Sequence, residues 1–409
     1  MTARGYAARQ TSAVRKLTVN KMLLATVLPL LLATVVGLVV LWPDGDAVDR
    51  PTSFGPPTRL IDGTVEVDGA VPCKGRSSGA ASNCRVATVR LTEGPEKGGT
   101  VDLELYEGPG QPRLHVGDPV VLGRADDRGG VVDYYFSDFQ RRSPLLWLGL
   151  IFAVAVVAVG RMRGLAALVG LGLSFVLLIS FVLPALLEGR NALVVAIVAS
   201  SAIMFLLMYL AHGVNPKTTT ALLGTLVSLA LTGLLAAVFV GVARVANVNS
   251  EEASYLQISA SQVNLEGILL GGIIIGSLGV LNDVTVTQAS AVWALRAADP
   301  TAGARHLYRR AMAIGRDHIA STVDTLVLAY AGASLPLLLL FTLASRPIGD
   351  VVTGGLVAEE IVRTLVGGIG LVASVPVTTG LAALVATRVQ EDTRRGWLPA
   401  WASGRGHSH

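Results

Sequence analysis

The chain is poor in aromatic side chains, in charge and in cysteine, and each scarcity closes off a class of function. Only 5% of its 409 residues are aromatic, too few for a platform that stacks nucleic-acid bases. A net charge of +4 invites a nucleic-acid partner. The basic residues, however, cluster at the ends of apolar runs, where orientation in a membrane accounts for them. No Gly-rich loop with Lys and Ser/Thr is present to cradle phosphate, so no ATP drive is built in. The Gly-x-Ser-x-Gly elbow and the His-Glu-x-x-His zinc motif are also missing. The chain is not expected to be an enzyme, and no cofactor is implied. Its two cysteines, Cys73 and Cys84, both fall in the one long polar segment.

Apolar sequence is what the chain has in abundance: 52% of it is hydrophobic and the mean hydropathy is +0.58. Several runs approach the ~20 apolar residues that cross a bilayer. The reading is an α-helical integral membrane protein with about eight transmembrane helices. Residues 1–21 form a basic cytoplasmic N-terminus and 22–42 a retained anchor helix, since Leu41-Trp42-Pro43 offers no signal-peptide cleavage site. Residues 43–143 alternate apolar and polar residues in about five short patches broken by Gly, Pro and Asp. That predicts a small extracytoplasmic all-β domain, an OB-like barrel with a sandwich as the alternative. In that compartment Cys73 and Cys84 can form a disulfide, which would contribute ~3 kcal/mol by closing a short loop. Residues 144–388 carry seven further spans, near 144–160, 164–187, 192–211, 218–243, 264–283, 319–343 and 364–388. A cytoplasmic tail, 389–409, follows.

The charge asymmetry agrees. Seventeen Lys/Arg fall in the predicted cytoplasmic pieces, against four (Arg190, Arg244, Arg346, Arg363) in the short outer pieces. Arg141 and Arg142, just outside the second span, are the discord. The expected location is a bacterial inner membrane, with both termini cytoplasmic.

Two stretches carry candidate chemistry. The first runs through Asn282-Asp283 to Thr287 and Ser290; the second through Arg316-Asp317 to Ser321, Asp324 and Thr325. A charge inside an apolar span costs roughly 2.5–3.5 kcal/mol, so it normally faces a partner, water or an ion. Asp283, Thr287 and Ser290 share a helix face, as do Asp317, Ser321 and Asp324. Two such faces would supply oxygen ligands for a hard cation or a proton relay. Hydroxyls that merely bond their own backbone are the competing account. Which metal, if any, is not specified. Gly276 and Gly279 precede the first acid, where a break would expose carbonyls; close helix packing is the competing account of these glycines. Asp317 and Arg316, with Lys217 at an inner turn capped by Thr218, read as gating or structural residues. Residues 302–314 are expected to form a separate amphipathic helix, and 356–362 a short interfacial one.

The stretches Gly276-Ser-Leu-Gly-Val-Leu-Asn-Asp283, Gly315-Arg-Asp317 with Asp324-Thr-Leu-Val-Leu-Ala-Tyr330, Asn215-Pro-Lys217-Thr and Ser250-Glu-Glu252-Ala resemble the YibE/F-like family of bacterial membrane proteins. The resemblance spans anchor helix, β domain and helical block. It implies a polytopic membrane protein and no mechanism. Where the family more often has Asn, this chain has Asp324.

The expectation is a secondary transporter or permease whose buried carboxylates are linked to protons or cations. Its partners would be the lipid bilayer and a small ion or small-molecule substrate, without nucleic acid; a homo-oligomer is compatible. The alternative is a non-transporting assembly or sensor protein whose outer β domain binds an envelope partner.

Overall fold

The computed structural model describes residues 3–44, 59–72, 83–106, 112–126, 132–245, 256, 258, 263–343 and 347–389. Cys73 lies outside that set and Cys84 is described by its backbone alone, so the disulfide falls outside the described residues, as do the 247–255 loop and the C-terminal tail. The chain divides into two compact units, 49–159 and the remainder.

The first unit is built on five antiparallel strands: β1 (Arg59–Pro72), β2 (Asn83–Leu91), β3 (Thr100–Tyr106), β4 (Pro119–Asp126) and β5 (Val132–Phe139). Their order is β3-β2-β1-β4-β5, a half-barrel. Alternation places Ile61, Val65, Val89, Leu103, Val120 and Leu122 in one apolar core. An irregularity in the β1–β2 register between Val65 and Val67 resets the alternation, which leaves Val67 exposed. The charged face pairs with itself. Arg85 bonds Asp68, Arg90 bonds Glu66, and Thr88 donates to Asp102 at 2.7 Å. Arg141 bonds Asp138 at 2.6 Å, which accounts for an arginine that the charge asymmetry left discordant. That bond, and then the Phe139 amide, hold the Asp138 carboxyl below the usual carboxylate range.

The second unit is helical. Its elements are α1 (Ala3–Val40), the distal part of α2 (Arg142–Leu177), a π-helical turn (Leu178–Val182), α3 (Leu183–Leu187), α4 (Ala192–His212), α5 (Pro216–Ala243), α6 (Leu265–Ala298), α7 (Ala304–Ala333), α8 (Leu335–Leu343), α9 (Ile348–Val352) and α10 (Gly355–Arg388). Among the described residues, six helices are long and apolar enough to cross a membrane, and the bent pair α7–α8 adds a seventh if counted as one span. The apolar stretch Arg142–Leu187 is 46 residues long. It is interrupted at Arg161, whose φ of 51° leaves the helical region.

Three expectations are corrected. α6 runs unbroken through Gly276 and Gly279. Residues 302–314 are not a separate helix: α7 carries from Ala304 into the apolar segment. Residues 356–362 likewise belong to α10. In each case packing along a shared face outweighs the ~1 kcal/mol by which a helical glycine trails alanine.

At the centre, α5, α6 and α10 pack mutually, with α4 and α7 flanking α6. Glycine sets the closest approaches. A methyl group on Gly267 would stand 2.7 Å from Ala192 Cβ, and one on Gly271 3.6 Å from Ala196 Cβ. This is the small-residue contact between membrane helices.

Candidate functional site

The start of α5 shows how the local sequence builds its ends. Asn215 caps it, its side chain accepting from the Thr218 amide at 2.9 Å, and Pro216 occupies the first turn. The expected Thr218 cap is therefore corrected: its hydroxyl instead reaches the His212 carbonyl at 3.4 Å. Lys217 is half-buried at that turn.

The inner face of α6 carries Ile274, Leu278, Leu281, Thr285, Gln288 and Val292, all buried. Gly276, Gly279 and Asp283 are exposed on the other face, with Thr287 and Ser290 half-buried. On α7, Arg316, Asp317, Ser321, Asp324 and Thr325 are all exposed. Asp283 and Asp324 form no hydrogen bond or ion pair among the described residues. The expectation of buried carboxylates is thus corrected. In the single chain both acids lie on outward helix faces, because the apolar residues Val280 and Val284 of α6 and Ile319 and Val323 of α7 fill the contact between these helices. Thr325 donates to the Ser321 carbonyl at 2.9 Å, the self-bonding that competes with a ligand role.

The two faces of the bundle differ in kind. α5 exposes Val227, Leu231, Leu234, Val238, Phe239 and Val242. α6 exposes no large apolar side chain among the described residues; its outer face is glycine and Asp283.

A second polar set lies inside, and sequence reasoning passed over most of it. Thr225 of α5 and Thr285 of α6 share a hydrogen bond of 2.7 Å. Thr379 of α10 donates to Gln288 Oε1 at 3.0 Å. All four are fully buried. Gly315 of α7 makes room for Gln288: a methyl there would stand 3.0 Å from Nε2 and 2.6 Å from Val375. Gly224 likewise makes room for Thr378, and Gly370 for Thr232. Several buried polar atoms have no partner: Gln288 Nε2, Thr378 Oγ1, Asn282 Oδ1 and His318 Nε2. A buried polar group without a partner costs ~1–3 kcal/mol. Four such atoms lie on three adjoining helices, α6, α7 and α10. The available signal was the pairing of glycine on one helix with Thr or Gln on its neighbour. No group of three or more His, Cys, Asp or Glu side chains placed to hold a metal occurs among the described residues.

No curated protein and no solved structure matches the chain. The sequence pattern of the YibE/F-like protein family matches residues 148–388. The match covers the helical block and begins after the half-barrel, so it does not extend to the anchor helix or the β domain. It includes Asn282, Asp283, Gln288, Asp324 and the glycines that receive Thr232 and Thr378. Covering more than half of the chain, it shows that the protein belongs to the YibE/F-like family.

Proposed function

We propose that this protein is a secondary transporter or permease of a bacterial inner membrane, moving a small solute with protons or cations. The observation that carries the reading is the outer face of α6, where Gly276, Gly279 and Asp283 stand exposed and no large apolar side chain does. Such a face suits water rather than hydrocarbon, since a carboxylate at lipid-facing mid-span costs roughly 2.5–3.5 kcal/mol. Asp283 attracts the cation; Asn282, Thr287 and Ser290 flank it, and Ser321, Asp324 and Thr325 supply a second polar face on α7. Arg316, Asp317 and Lys217 set the inner end. No catalytic step is involved.

The topology belongs to the same proposal. A 46-residue apolar stretch would extend about 69 Å as one helix, over twice the ~30 Å hydrocarbon core. Its break at Arg161 makes it two crossings. With α7–α8 as one, the count is eight, both termini are cytoplasmic and the half-barrel is extracytoplasmic and OB-like. Flux into liposomes holding the purified protein tests the function. Asp283→Asn should abolish it, and undiminished flux in that variant would remove Asp283 from the mechanism.

One observation favours the second reading, an assembly or sensor role. β3 and β5 are edge strands with no ladder between them among the described residues. A partner segment can add a strand there. In-cell crosslinking from the half-barrel, with flux absent, would decide for it.

A further inference from the structure

We propose that a slot between α1, the distal part of α2 and α4 holds one acyl chain of a zwitterionic phospholipid, whose ammonium headgroup rests against Asp44. The slot lies on a different set of helices from the α6 face, so the proposal goes beyond the permease reading and does not depend on it.

Two close contacts frame the slot. Gly37 brings α1 onto Val198 of α4, and Gly170 brings α2 onto Leu207 of the same helix; a methyl group on either glycine would stand 2.7 Å or 2.8 Å from those side chains. Between these two levels Ala202 and Ile203 of α4 form a floor. The walls are α1 on one side and α2 with the π-helical turn on the other, and a cavity of about 480 Å³ is left between them. Its lining belongs wholly to the helical unit. The volume is that of a small-ligand pocket, ~300–1,000 Å³.

The dimensions select the occupant. Along α1 the lining runs from Leu31 to Trp42, about 16 Å at the helical rise of ~1.5 Å per residue. That is the depth of one leaflet, half of the ~30 Å hydrocarbon core. Spread over that length, the cavity has a cross-section of about 30 Å², whereas a helix ~10 Å across needs about 80 Å². A membrane helix is too wide for the slot, and an extended hydrocarbon chain fits. The hydroxyls of the lining are already spent. Thr34 donates to the Leu30 carbonyl at 2.8 Å, Ser174 to the Gly170 carbonyl at 2.8 Å and Ser180 to the Val176 carbonyl at 2.6 Å. Bonded within their own helices, they ask for no polar partner in the slot.

One end is marked for a headgroup. Trp42 lines the slot and meets Phe181, ring centroids 5.6 Å apart; Trp is a residue of the membrane–water interface. Beside it, Arg190 donates to the Val40 carbonyl at 3.1 Å, to Asp44 at 2.8 Å and to Glu188 at 3.1 Å. Each guanidinium nitrogen is thus engaged, and two carboxylates share one cation. The Asp44 side chain is 78% exposed. A lipid phosphate finds the arginine taken, while a primary ammonium finds an open carboxylate. The excess negative charge favours an amine-bearing zwitterionic headgroup over an anionic one.

The test reconstitutes the full chain in vesicles of phosphatidylethanolamine and phosphatidylglycerol in equal parts. A trace of one lipid or the other carries a photoactivatable acyl chain, and labelled peptides are mapped after illumination. The proposal predicts labelling several-fold stronger on Leu31–Trp42, Leu173–Ser180 and Ala202–Leu206 than on the exposed apolar face of α5 between Val227 and Val242, and stronger with the ethanolamine lipid than with the glycerol lipid. Ala202→Trp fills the floor and should bring the labelling down to that of α5. Asp44→Asn, at an exposed position that leaves folding intact, should erase the preference between headgroups and keep the acyl-chain labelling. Labelling no stronger than on α5, as an ordinary lipid annulus gives, would overturn the proposal. Equal capture of the two lipids by the wild-type chain, or labelling unchanged by Ala202→Trp, would do the same. So would a disulfide between two copies of an Ala202→Cys chain with Cys73 and Cys84 replaced by Ser, which would put protein in the slot.

Discussion

The half-barrel and the helical unit handle polar groups in opposite ways. In the half-barrel charged groups pair on the outside, as in Arg90–Glu66 and Arg141–Asp138, around a core of Val89, Leu103 and Leu122. Between α5, α6 and α10 of the helical unit the hydrogen-bonded pairs are neutral and inward, as in Thr225–Thr285 and Thr379–Gln288. There the apolar side chains of α5 face out. Two solvents explain the inversion. Water rewards burial of apolar surface. Hydrocarbon does not, so helices associate through small residues and neutral hydrogen bonds. The outer face of α6 obeys neither rule for a lipid-facing helix, which is why it carries the functional reading.

The largest break in this contrast should come from filling a helix contact. Gly224→Leu would drive a side chain into Thr378, and no flexible tip can give way. Loss of the monodisperse folded protein on size-exclusion chromatography is expected, where overpacking in a soluble core costs only ~1–3 kcal/mol. In the half-barrel the sensitivity is the reverse, to removal. Leu122 is fully buried, and Leu122→Ala should cost ~2–5 kcal/mol. Hydrogen exchange should show the loss in β1–β5 and leave α5, α6 and α10 unchanged. The smallest effect concerns charge. Arg141 holds the Asp138 carboxyl below its ordinary value of 3.8. A depressed pKa contributes stability that is present above that value and lost as pH falls through the folded one. Both groups are exposed, so the contribution is slight. Arg141→Ala should flatten the acid-range decline in β5 exchange protection and leave neutral pH unaffected.

Much of the fold was legible because solvent writes period into sequence. The five alternating patches of 63–136 became five strands, and the apolar runs became helices. Helix ends were not legible. α6, α7 and α10 run on beyond the length a bilayer asks for, because Leu307 and Ala311, like Val357 and Val366, pack on neighbours that a linear reading cannot see. Of the candidate site, Asp283 and Asp324 stand out in the sequence because a lone acid in an apolar run is conspicuous. Gln288, Thr225 and Thr285 were not, since neutral groups in such runs are ordinary until their partners on other helices are known. Gly224 and Gly370 are sockets for Thr378 and Thr232, a role that depends on partners a linear reading does not show.

The central claim, that the outer face of α6 meets water while that of α5 meets lipid, has a direct measurement. In a background with Cys73 and Cys84 replaced by Ser, single cysteines at Gly276, Gly279 and Asp283 are compared with cysteines at Leu234 and Val238. The probe is a membrane-impermeant thiol reagent applied to the protein in native membranes. The account predicts that the α6 positions react and the α5 positions do not. Equal protection of both sets, with α6 as silent as α5, would contradict it.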